Sequence, residues 1–176
     1  MKESVEVMIT REDVEKRIDE VAAQINADYG TTPLHMVGVL KGGAYFMIEL
    51  GKRLTMPVTM DFLSVSSYGD GTSSSGIVRL VKDLDHKLEG KDVLVVEDII
   101  DSGRTLSYLL KLFQERKPTT VKLCTLLDKP DRRVVPDVTV DYCCFEIPDE
   151  FVVGCGLDYQ QRYRNLPYVG VMRLED

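Results

Sequence analysis

No two of the four cysteines, Cys124, Cys143, Cys144 and Cys155, stand in a C-x-x-C, and the only histidines, His35 and His86, have no metal-ligand spacing. That scarcity argues against a structural zinc site and a disulfide framework, and points to buried free thiols. Long apolar runs are missing as well. Nothing approaches the roughly 20 apolar residues of a membrane span, and the opening MKESVEVMIT lacks a signal core, so a cytoplasmic location is expected. An excess of basic charge is also lacking. Lys and Arg number 22 against 29 Asp and Glu, a net charge of −7. That balance disfavours a broad footprint for nucleic acid or an anionic membrane, without forbidding a local basic pocket for a polyphosphate. No internal repeat and no interdomain linker interrupt the pattern.

What remains is ordinary for one soluble globular domain spanning 1–176, with 44% hydrophobic and 29% charged residues. Thr10-Arg11-Glu12-Asp13 is a helix start signal, and Val14, Ile18, Val21, Ala22 and Ile25 recur at helical spacing until about Gly30. His35 to Leu40 reads as a strand, Lys41-Gly42-Gly43 as a break, and Ala44 to Leu54 as a helix. Pro57 leads into a strand through Val65, and Ile77 to Val81 reads as a returning strand. Strands are further expected at Val121 to Leu127, Val138 to Phe145, Phe151 to Val153 and Tyr168 to Leu174. Alternating strand and helix through the middle predicts an α/β fold, a mostly parallel sheet with helices on both faces.

The densest signal is VLVVEDIIDSGRT, Val93 to Thr105. Four apolar residues bounded by turn residues read as a buried parallel strand, with a helix expected from about Thr105 to Arg116. Glu97 and Asp98 therefore fall at the carboxyl end of a strand, where open α/β sheets bind ligands. Asp101-Ser102-Gly103-Arg104-Thr105 follows, offering backbone N–H groups, two hydroxyls and a helix N-terminus, which together suit a phosphate. The acid pair suits sugar hydroxyls or magnesium. A ligand carrying both sugar and phosphate satisfies both halves.

This stretch closely resembles the phosphoribosyl-diphosphate (PRPP) signature of the purine and pyrimidine phosphoribosyltransferases, and EDIIDSGRT looks like their hypoxanthine-guanine branch. The resemblance spans about residues 36 to 166 and implies the type I fold, with a small hood over the site built from the chain ends. It gives Glu97 and Asp98 the ribose hydroxyls and a magnesium ion, and Asp101, Ser102, Gly103, Arg104 and Thr105 the 5′-phosphate loop. Asp101 is also implied at purine N7. Lys41 and Gly42, which alone read as an ordinary turn, gain a pyrophosphate role, often with a cis peptide before the lysine. Arg164 is implied on the same pyrophosphate, and Asp158 on a second magnesium. Lys129 is implied at the purine 6-oxo group, Phe151 stacked on the base, and the main chain of Val152 at the base edge. The tract SSYGDGTSSSG, residues 66–76, reads as a disordered surface loop or as a mobile lid excluding water; the resemblance favours the lid and matches its Ser-Tyr pair to Ser67 and Tyr68.

The implied activity is transfer of 5-phosphoribosyl from PRPP to N9 of hypoxanthine or guanine, in a homo-oligomer, dimer or tetramer. Its competitors are a sister transferase for xanthine or a pyrimidine, an RNA-binding transcript regulator on the same fold, and an inactive scaffold. The acidic balance disfavours the regulator, and intact Asp101, Lys41 and Lys129 disfavour the scaffold.

Overall fold

A computed structural model describes residues 2–68 and 77–175. Its centre is a six-stranded sheet in the order β4-β3-β2-β5-β6-β7. The strands are β2 (Leu34–Val39), β3 (Val58–Tyr68), β4 (Ile77–Lys82), β5 (Asp92–Ile100), β6 (Thr120–Asp128) and β7 (Tyr142–Glu146). All pair in parallel except β4, which returns antiparallel along β3. Among the described residues, three α-helices cover the sheet: α1 (Arg11–Tyr29), α2 (Gly42–Gly51) and α3 (Arg104–Glu115).

The alternation of side chains along β5 explains why helices are needed on both faces. Leu94 and Val96 pack with Ile25 of α1 and Phe46 and Met47 of α2. Val93 and Val95 pack with Leu106, Leu109 and Phe113 of α3. All four β5 residues are fully buried, and each fully buried aliphatic side chain contributes about 1.5–3 kcal/mol. The apolar run is thus the price of two covered faces, not of one amphipathic strand.

A second sheet joins the two ends of the chain. Here β1 (Lys2–Ile9) pairs antiparallel with β9 (Val169–Glu175), which pairs with β8 (Val152–Val153). Glu3 fastens this sheet to the preceding loop, accepting hydrogen bonds from Arg162 at 2.6 Å and from Tyr163 Oη at 2.6 Å.

Three sequence expectations shift. The second helix begins at Gly42 and ends at Gly51, not Leu54. The Asn26 amide draws the chain off by donating to Arg53 O at 3.0 Å and accepting from Thr55 N at 2.9 Å. The strand expected from Val138 begins only at Tyr142. Before it, the Asp141 carboxylate takes the Leu123 N–H at 2.8 Å, using up a ladder donor with a side chain. In the tract expected as a lid, residues 66–68 belong to β3, with Ser67 opposite Val78 and Tyr68 opposite Ile77. The rest of that tract, residues 69–76, and the side chains of Ser67 and Tyr68 lie outside the described residues.

Candidate active site

The strand order reverses between β2 and β5, since the chain proceeds from β2 outward to β3 and from β5 the other way to β6 and β7. A crevice at such a switch point opens at the carboxyl ends of the strands. Gly38 of β2 stands beside Val96 of β5, so Lys41-Gly42-Gly43 and Glu97-Asp98 emerge next to each other. The peptide between Leu40 and Lys41 is cis. A Cβ on Gly42 would collide with Asp98 Oδ2, and it would stand 3.1 Å from the Gly156 carbonyl. Glycine is needed there because the loop backbone lies directly against the acid.

Glu97 is only 8% exposed. Burial, then the neighbouring Asp98 charge and a hydrogen bond to it, push the Glu97 carboxyl well above its ordinary range. Burial also raises Asp98, while its bonds to Glu97 and to the Ile99 N–H at 2.7 Å pull the other way. Two carboxyls crowded together out of water disfavour ionisation of both at once. A hard divalent cation or a pair of sugar hydroxyls suits such a pair. Among the described residues no three His, Cys, Asp or Glu side chains form a cage around a metal. A magnesium ion held by one or two carboxylates and completed by substrate oxygens and water fits this donor set.

Past the acids, Gly103 adopts a left-handed conformation at φ 82 and α3 begins at Arg104. A Cβ at Gly103 would stand 2.8 Å from both Arg133 Cδ and Val135 Cγ2. The glycine thus lets residues 101–105 fold tightly against the 130–135 loop while their amides stay at the helix N-terminus. Ser102 Oγ accepts the Arg104 N–H at 3.4 Å. Asp101 is exposed at the mouth of this loop.

The third wall comes from the loop after β8. Arg164 donates to the Gly156 carbonyl at 2.7 Å and pairs with Asp158 at 3.0 Å. Gln161, in a left-handed conformation, accepts from Lys41 Nζ at 3.0 Å and from Arg164 at 3.1 Å. The Asp158 carboxylate accepts the Gln161 N–H at 2.8 Å. Lys41, Arg164 and Asp158 are thus gathered around a carboxamide that sequence reasoning missed. One polar glutamine in DYQQRYRN carries no signal until the fold brings Lys41 to it.

On the far side, Lys129 follows β6, with its N–H donating to the Ile100 carbonyl at 2.9 Å. Exposed lysines are the rule at strand ends, yet Lys129 is only 7% exposed. Its Nζ lies 3.6 Å from Asp149, which pairs with Arg132 at 3.3 Å, and Arg132 reaches Asp101 at 3.2 Å. Arg132 and Asp149 were also missed; as exposed charges after a proline or before an aromatic they look like solvated loop. Phe151 is 55% exposed and meets the Tyr159 ring edge-on at 5.8 Å, so it is not core. Val152 is buried, pairing with Val171 of β9.

A separate groove of 1040 Å³ runs behind the third wall along α1 and α2, lined in part by Tyr45, Ile48, Arg53, Leu166 and Pro167 and reaching Arg164. None of the acids at the β5 end lines it.

Comparison with known proteins finds relatives along nearly the whole chain. The family model of the phosphoribosyl transferase domain matches residues 8–160. The hypoxanthine-guanine phosphoribosyltransferase of Bacillus subtilis is 51% identical over 174 residues, covering 98% of this chain and 96% of the relative. A crystal structure of a hypoxanthine phosphoribosyltransferase from Staphylococcus aureus matches with a TM-score of 0.91 at 48% identity, covering 96% of this chain and 91% of that one. A hypoxanthine-guanine phosphoribosyltransferase from Bacillus anthracis, with a HEPES molecule in its active site, gives 0.91 at 42% identity, covering 98% and 100%. With its parallel sheet, its acid pair at the β5 end and these matches, the chain belongs to the phosphoribosyltransferase family and has the type I fold.

Proposed function

We propose that the protein transfers 5-phosphoribosyl from PRPP to N9 of hypoxanthine or guanine, forming IMP or GMP and releasing pyrophosphate. The observation that carries this reading is the set of groups on one sheet edge: a cation after β2, an acid pair and small-residue loop after β5, and a buried cation after β6. Glu97 and Asp98 hold the ribose 2′- and 3′-hydroxyls. The 101–105 loop, including Ser102, Gly103, Arg104 and Thr105, cradles the 5′-phosphate with amides at the start of α3. Lys41 and Arg164 neutralise the departing pyrophosphate, Gly42 lets the backbone approach it, and Phe151 stacks on the purine. Val152 meets the base edge through its main chain. The chain-end sheet acts as a hood over the site.

Two residues supply the purine chemistry. Asp101 accepts or holds the N7 proton as N9 attacks, a contribution typically of about 10²–10⁴. Lys129 donates to the 6-oxo group; adenine presents an amino donor there, so the ammonium finds no acceptor on that base. Magnesium, held through Glu97, Asp98 and Asp158, would supply charge neutralisation for the phosphate oxygens. In the closely similar relatives, names specify hypoxanthine and guanine, which supports this reading over a pyrimidine substrate. Two further parts of the proposal are a cytoplasmic location and a homo-oligomer. Among the described residues no helix is long and apolar enough to cross a membrane. Tyr45 and Ile48 of α2 are large, apolar and exposed beside the groove, a face a second copy could cover.

The test is product formation from PRPP, magnesium and each of hypoxanthine, guanine, xanthine, adenine and uracil. IMP and GMP are expected, with no AMP. Turnover of xanthine or uracil alone would overturn the assignment.

A further inference from the structure

The proposed purine-reading groups, Asp101 and Lys129, follow different strands, β5 and β6, and N7 and O6 of a purine are adjacent. Reading both atoms at once requires the carboxylate and the ammonium to be fixed relative to each other. No direct contact joins them. Instead a row of alternating charge does: Lys129 Nζ to Asp149 at 3.6 Å, Asp149 to Arg132 Nη1 at 3.3 Å, and Arg132 Nε to Asp101 Oδ1 at 3.2 Å. One guanidinium spans two carboxylates through two different nitrogens of its rigid planar fork, Nε and Nη1.

The backbone reinforces the row. Residues Pro130–Arg132 form one 3₁₀ turn, in which the Arg132 N–H donates to the Lys129 carbonyl at 3.0 Å. Lys129 and Arg132 therefore move together. The next residue, Arg133, holds the main chain of the same acid: its Nε donates to the Asp101 carbonyl at 3.5 Å, and its guanidinium pairs with Asp128. Two successive arginines thus bracket Asp101, one by its backbone and one by its side chain.

We propose that Arg132, working with Asp149, is a positioning residue that fixes Asp101 against Lys129 for recognition of the 6-oxopurine edge. This inference rests on the purine-transferase reading above. Exposed ion pairs add little to folding stability, and Arg132, Asp101 and Asp149 are each about half exposed. The effect therefore belongs in binding and turnover and not in the melting temperature.

The experiment compares wild type with Arg132→Gln, Arg132→Lys, Asp149→Asn and the Arg132→Gln/Asp149→Asn double variant. Steady-state kinetics with hypoxanthine and PRPP are paired with calorimetric titration of IMP and of ribose 5-phosphate. For Arg132→Gln, kcat should fall by about tenfold and IMP affinity by about fivefold, while the KM for PRPP and the affinity for ribose 5-phosphate stay within about twofold. Asp149→Asn should raise the KM for hypoxanthine by about threefold, and the double variant should be no worse than the poorer single, because the two act as one unit. Arg132→Lys should recover only a minor part of the loss. Arg132→Gln matching wild type in kcat and IMP affinity overturns the proposal. So does a variant that loses PRPP and purine parameters in equal proportion together with thermal stability. Wild-type protein that makes no IMP defeats the substrate reading instead, a result the variants do not affect.

Discussion

Buried beside Asp98, the Glu97 carboxyl is held well above its ordinary range because the crevice denies it water and sets a second carboxyl against it. The sign of the consequence follows from linkage. An unfolded glutamate ionises near pH 4.3, the folded one well above that, so the folded state binds more protons between the two values. Stability from this group is present at low pH and is lost as pH rises toward the raised folded value. Glu97→Gln is isosteric and has no proton to lose. It is expected to raise the melting temperature of the ligand-free protein at pH 7 by roughly 2–4 °C for each kcal/mol recovered, while turnover of PRPP drops by about tenfold or more. Scanning calorimetry and initial rates on one preparation measure both; a lower melting temperature than wild type would contradict the account. A gain in stability against a loss of turnover is the trade expected of the ligand-holding role proposed for this pair. The position of Glu97, Asp98 and Asp101 at the β5 end was legible in the apolar run and the turn residues after it, whereas Lys41 alone read as an ordinary turn and stood out only through the family resemblance. The raised Glu97 carboxyl was not legible, since it depends on burial that no residue list contains.

Among the elements, α1 shows local chemistry deciding an end. Thr10 Oγ1 accepts the Asp13 N–H at 3.2 Å, and Glu12 and Asp13 lie in the first turn near the positive end of the helix dipole. Replacing Thr10 with alanine should cost about 1 kcal/mol, read as a shift in the urea midpoint with an unchanged slope, and should leave PRPP kinetics alone. Elements of this kind, along with the β5 run and α3, could be read ahead because their determinants lie within a few residues. Others could not. The alternating KESVEVMI of β1 carries no distinctive cue, and its partner β9 is most of the chain away. The start of β7 is set by Asp141 binding the backbone of another strand, a tertiary choice that overrides the β-propensity of Val138 and Val140. Gln161 likewise gains meaning only when the loop after β8 meets the turn after β2.

For the whole molecule, the two ends of the central sheet have opposite electrostatic tasks. The carboxyl end holds the site; the amino end buries His35. Its Nδ1 lies 2.7 Å from Thr59 Oγ1, and its Nε2 has no hydrogen-bond partner. Burial first, then the Lys91 and His86 charges, lower the His35 value, against the pull of Asp61. A base lowered on folding leaves the unfolded chain binding more protons, so stability is full above about pH 6.5 and declines as pH falls toward the lowered folded value. Asp61 keeps its charge there, because the Asp85, His86 and Phe62 amides outweigh its burial. Glu97 works in the opposite direction over the same range, so the informative quantity is a difference. His35→Gln should lose less stability than wild type between pH 7 and pH 5, by chemical denaturation at each pH. Parallel slopes for the two proteins would show that His35 does not titrate in this way.

Pairing of β1 with β9 also has a consequence for biosynthesis. Glu6 and Arg173 meet at 3.4 Å although 167 residues separate them, so during translation the opening strand must wait, unpartnered, while the entire sheet emerges from the ribosome. Its final zipper closes only after the α/β body has assembled. A nascent polypeptide stalled short of Val169 would hold the signature loop, both arginines of the bracket and the acid pair, yet leave an alternating strand open to stray pairing.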